Sequence, residues 1–189
     1  VGSEMCIRDS HNSWFSESSL YAEDRNSEFR VKKSIEELKA GGFVYEKDNA
    51  IWFKSSKFND DKDRVLKRGS GDFTYFASDV AYHIDKYERG YEKILNIWGS
   101  DHHGYLPRVK AALEACNKDR DKLEVVFVQF ASLVRSGKKV SMSTRSGEFI
   151  SIKELMDEVT PDAARFFYIN RKADQHLEFD LDLAKEQSK

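Results

Sequence analysis

The stretch from Ile94 to Met142 constrains the fold most, because apolar runs and amphipathic spacing alternate along it. Ile94-Leu95-Asn96-Ile97-Trp98 and Val125 to Phe130 read as strands, and between them Leu106, Val109, Leu113 and Cys116 recur at helical spacing over Tyr105 to Asn117. Near-continuous apolar strands separated by helices imply a parallel sheet covered on both faces, and so an α/β fold. The first strand runs into Gly99-Ser100-Asp101-His102-His103-Gly104. A strand entering a glycine-flanked turn ahead of a helix aims polar groups and backbone N–H groups at one point, which suits an anion.

Composition narrows the class. A chain of 189 residues buries one good core or is a large piece of something bigger. Its 40% apolar share, 34% charged share and mean hydropathy of −0.67 imply a soluble protein with a very polar surface. Thirty-one basic against 33 acidic residues leave a formal charge of −2, so no global positive field points to nucleic acid, although Lys62 to Arg68 forms a local basic cluster. Cys6 and Cys116 make no metal-ligand or disulfide pattern. No apolar run approaches the roughly 18 residues of a membrane span, and the N-terminus lacks a secretory pattern, so a cytoplasmic location is expected.

Ahead of the αβ stretch, Val1 to Ser10 shows no periodicity or capping logic and reads as a non-native leader. Phe29, Ile35 and Leu38 predict a short helix over Glu28 to Ala40 that Gly41-Gly42 stops. Phe43 to Glu46 and Ala50 to Lys54 predict a hairpin around Lys47-Asp48-Asn49. Lys54 to Gly71 is densely charged and reads as a solvated loop. A helix from about Phe73 to Glu88 follows, with Phe76, Val80, Ile84 and Tyr87 on one stripe and Tyr75, Asp79, Tyr82 and His83 on another face.

Beyond the second strand, Ser136-Gly137 predicts a tight hairpin that presents Ser141 to Gly147 at its far end. Two helices are expected next. Thr160 is the N-cap of the second, Pro161 its first residue, and Ala163, Phe166, Phe167 and Ile169 are available for burial. The tail from Phe179 to Lys185 carries no evident closing signal.

Three groups of residues carry possible chemistry. Tyr75 and Asp79, four apart on a helix, place a phenol and a carboxylate on one face, a pair suited to a cationic group such as guanidinium; such a pair is more often ordinary surface or a helix-stabilising contact. Asp101-His102-His103 offers nucleotide contact at a strand's carboxyl end, a cap for the following helix, or part of a metal site. The metal reading, that of an Asp-His-His phosphoesterase, needs ligands from other strand ends that the sequence does not obviously supply. Ser141-Met142-Ser143-Thr144-Arg145 combines hydroxyls with a guanidinium, a composition able to wrap polyphosphate or to lie on the surface as a polar loop.

In order along the chain, several blocks resemble the arginyl-tRNA synthetase family of class I aminoacyl-tRNA synthetases. These are Trp14 to Tyr21, Val44 to Asp48, Asp60 to Leu66, Phe73 to Tyr87, Trp98 to Tyr105, Met142 to Phe149, Asp162 to Phe167 and Phe179 to Ser188. The resemblance implies the second half of a Rossmann-type (HUP-like) parallel-sheet catalytic domain. Part of the connective insertion would precede it, and helices would lead on to an anticodon-binding domain. The division expected is a leader at 1–10, insertion-derived helix and hairpin at 11–71, the Rossmann-type half with the KMSKS-like loop at 72–150, and a helical junction at 151–189.

The resemblance also implies arginine activation by ATP, with Mg2+ accompanying the nucleotide, and transfer of the arginyl group to tRNA(Arg) by a monomeric enzyme without a tightly bound metal. Tyr75 and Asp79 match the family's arginine site; Gly99, Asp101, His102, His103 and Met142 fall on its ATP side; Ser141, Met142, Ser143, Thr144 and Arg145 match its KMSKS loop. Ser141 and Thr144 stand where that motif has lysines, so Arg145, or Lys138 and Lys139, would supply the positive charge. The HIGH-type sequence is not found in the chain, so an internal fragment without activity of its own is expected. The alternative is a synthetase-like module that binds nucleotide or protein.

Overall fold

The structure, a computed structural model, describes residues 12–22, 29–140 and 150–187. The chain divides into two compact units, one built from Trp14–Ile97 and Asp101–Val126, the other containing Trp98–Ser100 and Phe127–Lys189. Helices and strands are mixed throughout, as an α/β chain requires.

In the first unit, α1 (Arg30–Ala40) turns its Val31, Ile35 and Leu38 inward and ends at the two glycines, Gly42 taking a φ of 75° that a side chain would strain. β1 (Val44–Lys47) and β2 (Ala50–Phe53) pair antiparallel from Val44↔Phe53 to Lys47↔Ala50. Asp48 and Asn49 close the hairpin with φ of 54° and 58°, the left-handed pair that matches strand twist in a two-residue turn.

The charged stretch that follows is not a solvated loop. A short 3₁₀ turn, Ser55–Phe58, leads into β3 (Arg64–Lys67), which pairs antiparallel with β2 across a bulge between Ile51 and Trp52. Asp60 is only 8% exposed because the Arg64 Nε and Nη2 groups each donate to its carboxylate at 2.7 Å, so charges that look like surface act as an internal clamp. Leu66, fully buried, then faces Phe53 and the core.

Thr74 caps α2 (Tyr75–Glu88) by accepting from the Ala77 N–H, and its Phe76, Val80 and Ile84 pack into the same core. α1 lies along α2, and Arg30 and Arg89 converge on the buried carboxylate of Asp85. β4 (Ile94–Gly99) and β5 (Leu123–Val128) form a two-stranded sheet, with α3 (Leu106–Ala115) between them in sequence. Their apolar runs are not covered on both faces in this chain: Ile94 and Asn96 are buried, whereas Leu95 and Ile97 are 55% and 70% exposed. Val126 and Val128 are exposed on β5 in the same alternating way.

The second unit is organised around β6 (Ala131–Arg135), which pairs antiparallel with β7 (Lys138–Lys139) through the Ser136-Gly137 turn and parallel with β8 (Leu177–Asp180). α4 (Ile152–Val159) opens with a capping box between Ser151 and Glu154. α5 (Pro161–Ile169) has the expected Thr160 cap but buries only Ala164; Phe166 and Ile169 are exposed, because a helix of nine residues presents one narrow stripe to Phe179 and Leu181. The tail does close the unit. Asp180 accepts from the Asp182 and Leu183 N–H groups and starts α6 (Leu181–Gln187), and Phe179, Leu181 and Ala184 are all fully buried.

Candidate functional site

Tyr75 and Asp79 lie in the first two turns of α2 and line one cavity of about 370 Å³, within the range of small-ligand clefts (roughly 300–1,000 Å³). The opposite wall comes from the segment before α1. Phe15 stacks on Tyr82 with ring centroids 4.4 Å apart, and the Tyr21 phenol bonds the Ser78 hydroxyl, which fastens the 3₁₀ turn Glu17–Leu20 against α2. Glu17 and Leu20 complete the lining, so the cavity carries two carboxylates and several aromatic faces. Tyr75, 81% exposed, stands at the rim.

Burial pushes the Asp79 carboxyl above its ordinary range; the Tyr105 phenol, which donates to Asp79 Oδ2, opposes this, Glu17 adds to it, and Lys86 and His102 draw it back. The same bond and its own burial hold the Tyr105 phenol far above its usual value, so it stays a donor at any physiological pH. Among the described residues, no lysine or arginine lies within ion-pair distance of Asp79. Asp60 and Asp85 on the same unit both have one.

Beneath this face, His83 is 4% exposed rather than part of a polar surface, since Asn96 of β4 covers it. A carbonyl can only accept, so His83 Nδ1–H donates to the Asp79 carbonyl at 2.7 Å. Its Nε2 then accepts from Asn96 Nδ2 at 2.7 Å, and Asn96 Oδ1 accepts from Lys86 Nζ at 2.7 Å. Burial and the Lys86 charge push His83 down to about 4, keeping it neutral, and burial with Arg89 pushes Lys86 down to about 8.

Asp101, His102 and His103 share one exposed 3₁₀ turn, Ser100–Tyr105, and Gly99 ends β4. Asp101 does not cap α3, whose first residue follows Tyr105. His102 Nε2 lies 3.7 Å from Asp101 Oδ2, and its ring meets that of Tyr105 edge-on. Among the described residues no cluster of three His, Cys, Asp or Glu groups could hold a metal ion, and no helix is long and apolar enough to cross a membrane. Ser141, Met142, Ser143, Thr144 and Arg145 lie outside the described residues.

Sequence reasoning placed Tyr82 on one face with the Tyr75/Asp79 pair but did not find Phe15, Glu17 and Tyr105 as parts of its surroundings. Tyr82, seven residues after Tyr75, was legible as the next position on the same helix face. Glu17 and Tyr105 come from distant segments and left no periodic signal.

A family described as tRNA synthetases class I (R), catalytic domain, matches residues 14–181. The chain belongs to that family. An arginine–tRNA ligase from Thioalkalivibrio sulfidiphilus is 56% identical over 178 residues, covering 94% of this chain and 30% of the relative. One from Nitrosomonas europaea is 57% identical over 175 residues, covering 93% and 29%. The chain therefore spans about 30% of the length of these curated relatives. Among solved structures, an arginyl-tRNA synthetase from Campylobacter jejuni superposes with a TM-score of 0.82 at 41% identity over 92% of this chain and 36% of that one. The Thermus thermophilus arginyl-tRNA synthetase, at 16% identity and a TM-score of 0.65, shares the fold over 82% of this chain and 36% of its own. The class I synthetase chain is thus an α/β portion of a Rossmann-like catalytic domain, and the expected family is the one found.

Proposed function

We propose that this chain forms the arginine-recognising part of an arginine–tRNA ligase, the enzyme that joins arginine to ATP as arginyl-adenylate with release of pyrophosphate and then passes the arginyl group to tRNA(Arg). One observation carries the reading: Asp79 is a desolvated carboxylate that lines a cavity and, among the described residues, has no guanidinium partner, whereas Asp60 and Asp85 each have one. A substrate guanidinium supplies what is missing, because its planar fork of donors suits a carboxylate better than a spherical ammonium does. Tyr75, at the cavity rim on the same helix, adds a phenol to the grip.

Gly99, Asp101, His102 and His103 serve the ATP side, where a strand end and an exposed turn offer amides and imidazoles to ribose and phosphate. Mg2+ enters with ATP as part of the substrate. In the stretch Ser141, Met142, Ser143, Thr144 and Arg145, the guanidinium of Arg145, or else the ammonium groups of Lys138 and Lys139 on β7, supplies charge for the leaving pyrophosphate in place of the motif's lysines. Residues 11–71 belong to a connective insertion, and 151–189 lead toward an anticodon-binding domain. The whole enzyme works in the cytoplasm as a monomer. The isolated chain, spanning under a third of its relatives, performs no arginine activation by itself.

In the full-length enzyme carrying this sequence, Asp79→Ala removes a charge-assisted bond worth roughly 1.5–3 kcal/mol, which raises the arginine KM by about tenfold to a hundredfold. Arginine-dependent ATP–pyrophosphate exchange with tRNA(Arg) present measures it. An unchanged arginine KM refutes the assignment.

A further inference from the structure

The partner that Asp79 does have is a phenol. Tyr105 reaches it from the end of the 3₁₀ turn ahead of α3, bonds Oδ2, and is absent from the lining of the cavity. Its ring is held on three sides: edge-on by Phe76 at 6.3 Å, edge-on by His102 at 6.3 Å, and by the Arg108 guanidinium at 4.8 Å from the centroid. A carboxylate on a short side chain turns about its last torsion unless something fixes it. A single donor from behind fixes that torsion while leaving the other oxygen and the remaining lone pairs for a ligand.

We propose that Tyr105 is a positioning residue for substrate arginine: it locks the plane of the Asp79 carboxylate so that the cavity-facing oxygen meets a guanidinium in one orientation. This rests on the reading of Asp79 as the arginine-binding carboxylate. The phenol suits the task better than a cation would. A guanidinium behind Asp79 would neutralise it and compete with the substrate, whereas a neutral donor orients the carboxylate and leaves its charge for the ligand. Within the same helix, His83 Nδ1 donates to the Asp79 backbone carbonyl and is itself held by Asn96 of β4, so the side chain is bonded from the turn ahead of α3 and the backbone from α2.

The test is Tyr105→Phe in the full-length enzyme, beside Asp79→Asn, with arginine-dependent pyrophosphate exchange measured across pH. The phenylalanine ring keeps the contacts with Phe76, His102 and Arg108 and loses only the donor. The arginine KM should rise about tenfold, the scale of one hydrogen bond to a charged group, while kcat and the ATP KM stay within about twofold. The acidic limb of kcat/KM for arginine should also move to higher pH, since the phenol bond holds the Asp79 carboxyl down against burial and Glu17, with Lys86 and His102 unchanged in both enzymes. A merely structural tyrosine moves neither the KM alone nor that limb. If Asp79→Asn weakens arginine binding and Tyr105→Phe does not, or if Tyr105→Phe lowers kcat and raises both KM values together, the positioning role is overturned and the Asp79 reading survives. If Asp79→Asn leaves the arginine KM unchanged, the underlying assignment fails and the positioning role with it.

Discussion

Two carboxylates on α2 meet opposite fates. Asp85 is gripped from two elements, by Arg30 of α1 and by Arg89 just past the end of its own helix. Asp79, on the face that lines the cavity, is given a neutral phenol. Asp60 repeats the pattern of Asp85 one layer away: burial alone would raise its carboxyl, but hydrogen bonds from Arg64, Ser55 and Asp61 outweigh that and hold it at about 2. A carboxylate that serves the fold brings its cation with it, because an unpaired buried charge is costly. On the proposed reading, Asp79 serves a ligand: it is kept partly desolvated and incompletely paired, and its stability cost would be returned when the ligand binds.

The contrast can be broken most sharply at Asp60. Arg64→Ala strands a carboxylate whose side chain is 2% exposed and should lower unfolding stability by about 3–5 kcal/mol, read as a reduced urea midpoint. A loss below about 1 kcal/mol would mean the pair is ornamental.

Acid should then separate the two kinds of buried group. His83 stays neutral in the fold with its value lowered from 6.5 to about 4, so the unfolded chain takes up its proton first. Stability should fall by about 3 kcal/mol as pH drops from 6.5 toward 4 and then level off. Asp60, lowered from 3.8 to about 2, contributes stability that is complete above 3.8 and lost as pH falls toward 2, on the order of 2 kcal/mol. Urea midpoints across that range should show two steps, and His83→Gln should flatten the upper one. A single step near pH 4 would remove His83 from the picture.

The smallest effect is the most telling. Asp79→Asn should leave the stability of the chain within about 0.5 kcal/mol of the parent, since the amide oxygen still accepts from Tyr105 and an unfavourably buried charge is gone. A loss comparable to that of Arg64→Ala would place Asp79 with Asp60 and Asp85 among the structural acids.

What the sequence made legible was local. Asp48-Asn49, Ser136-Gly137, Gly41-Gly42 and Thr160-Pro161 announce their turns and ends because the backbone there needs a positive φ, a cap or a ring. The pairing of Tyr75 with Asp79 was equally local, one turn of helix. What escaped was carried by partners far along the chain. β3 hid in a charge run because the residues that neutralise Asp60 look like solvated surface until folded. His83 looked polar and outward until Asn96 arrived from β4 to cover it, and Tyr105 gave no hint of Asp79, 26 positions earlier. Phe166 and Ile169 erred the other way, apolar residues for which this chain offers no inward place.

The relay from Lys86 through Asn96 to His83 has a direction: every hydrogen in it points toward the Asp79 turn. Helix and strand therefore cannot drift independently in sequence. Exchanging Asn96 for Asp swaps one amide for an acceptor-only group opposite the lone pair of His83 Nε2, and the two would be reconciled by a proton taken up between them. A change of a single functional group in the strand would thus make a silent imidazole beneath α2 one half of a proton-binding pair.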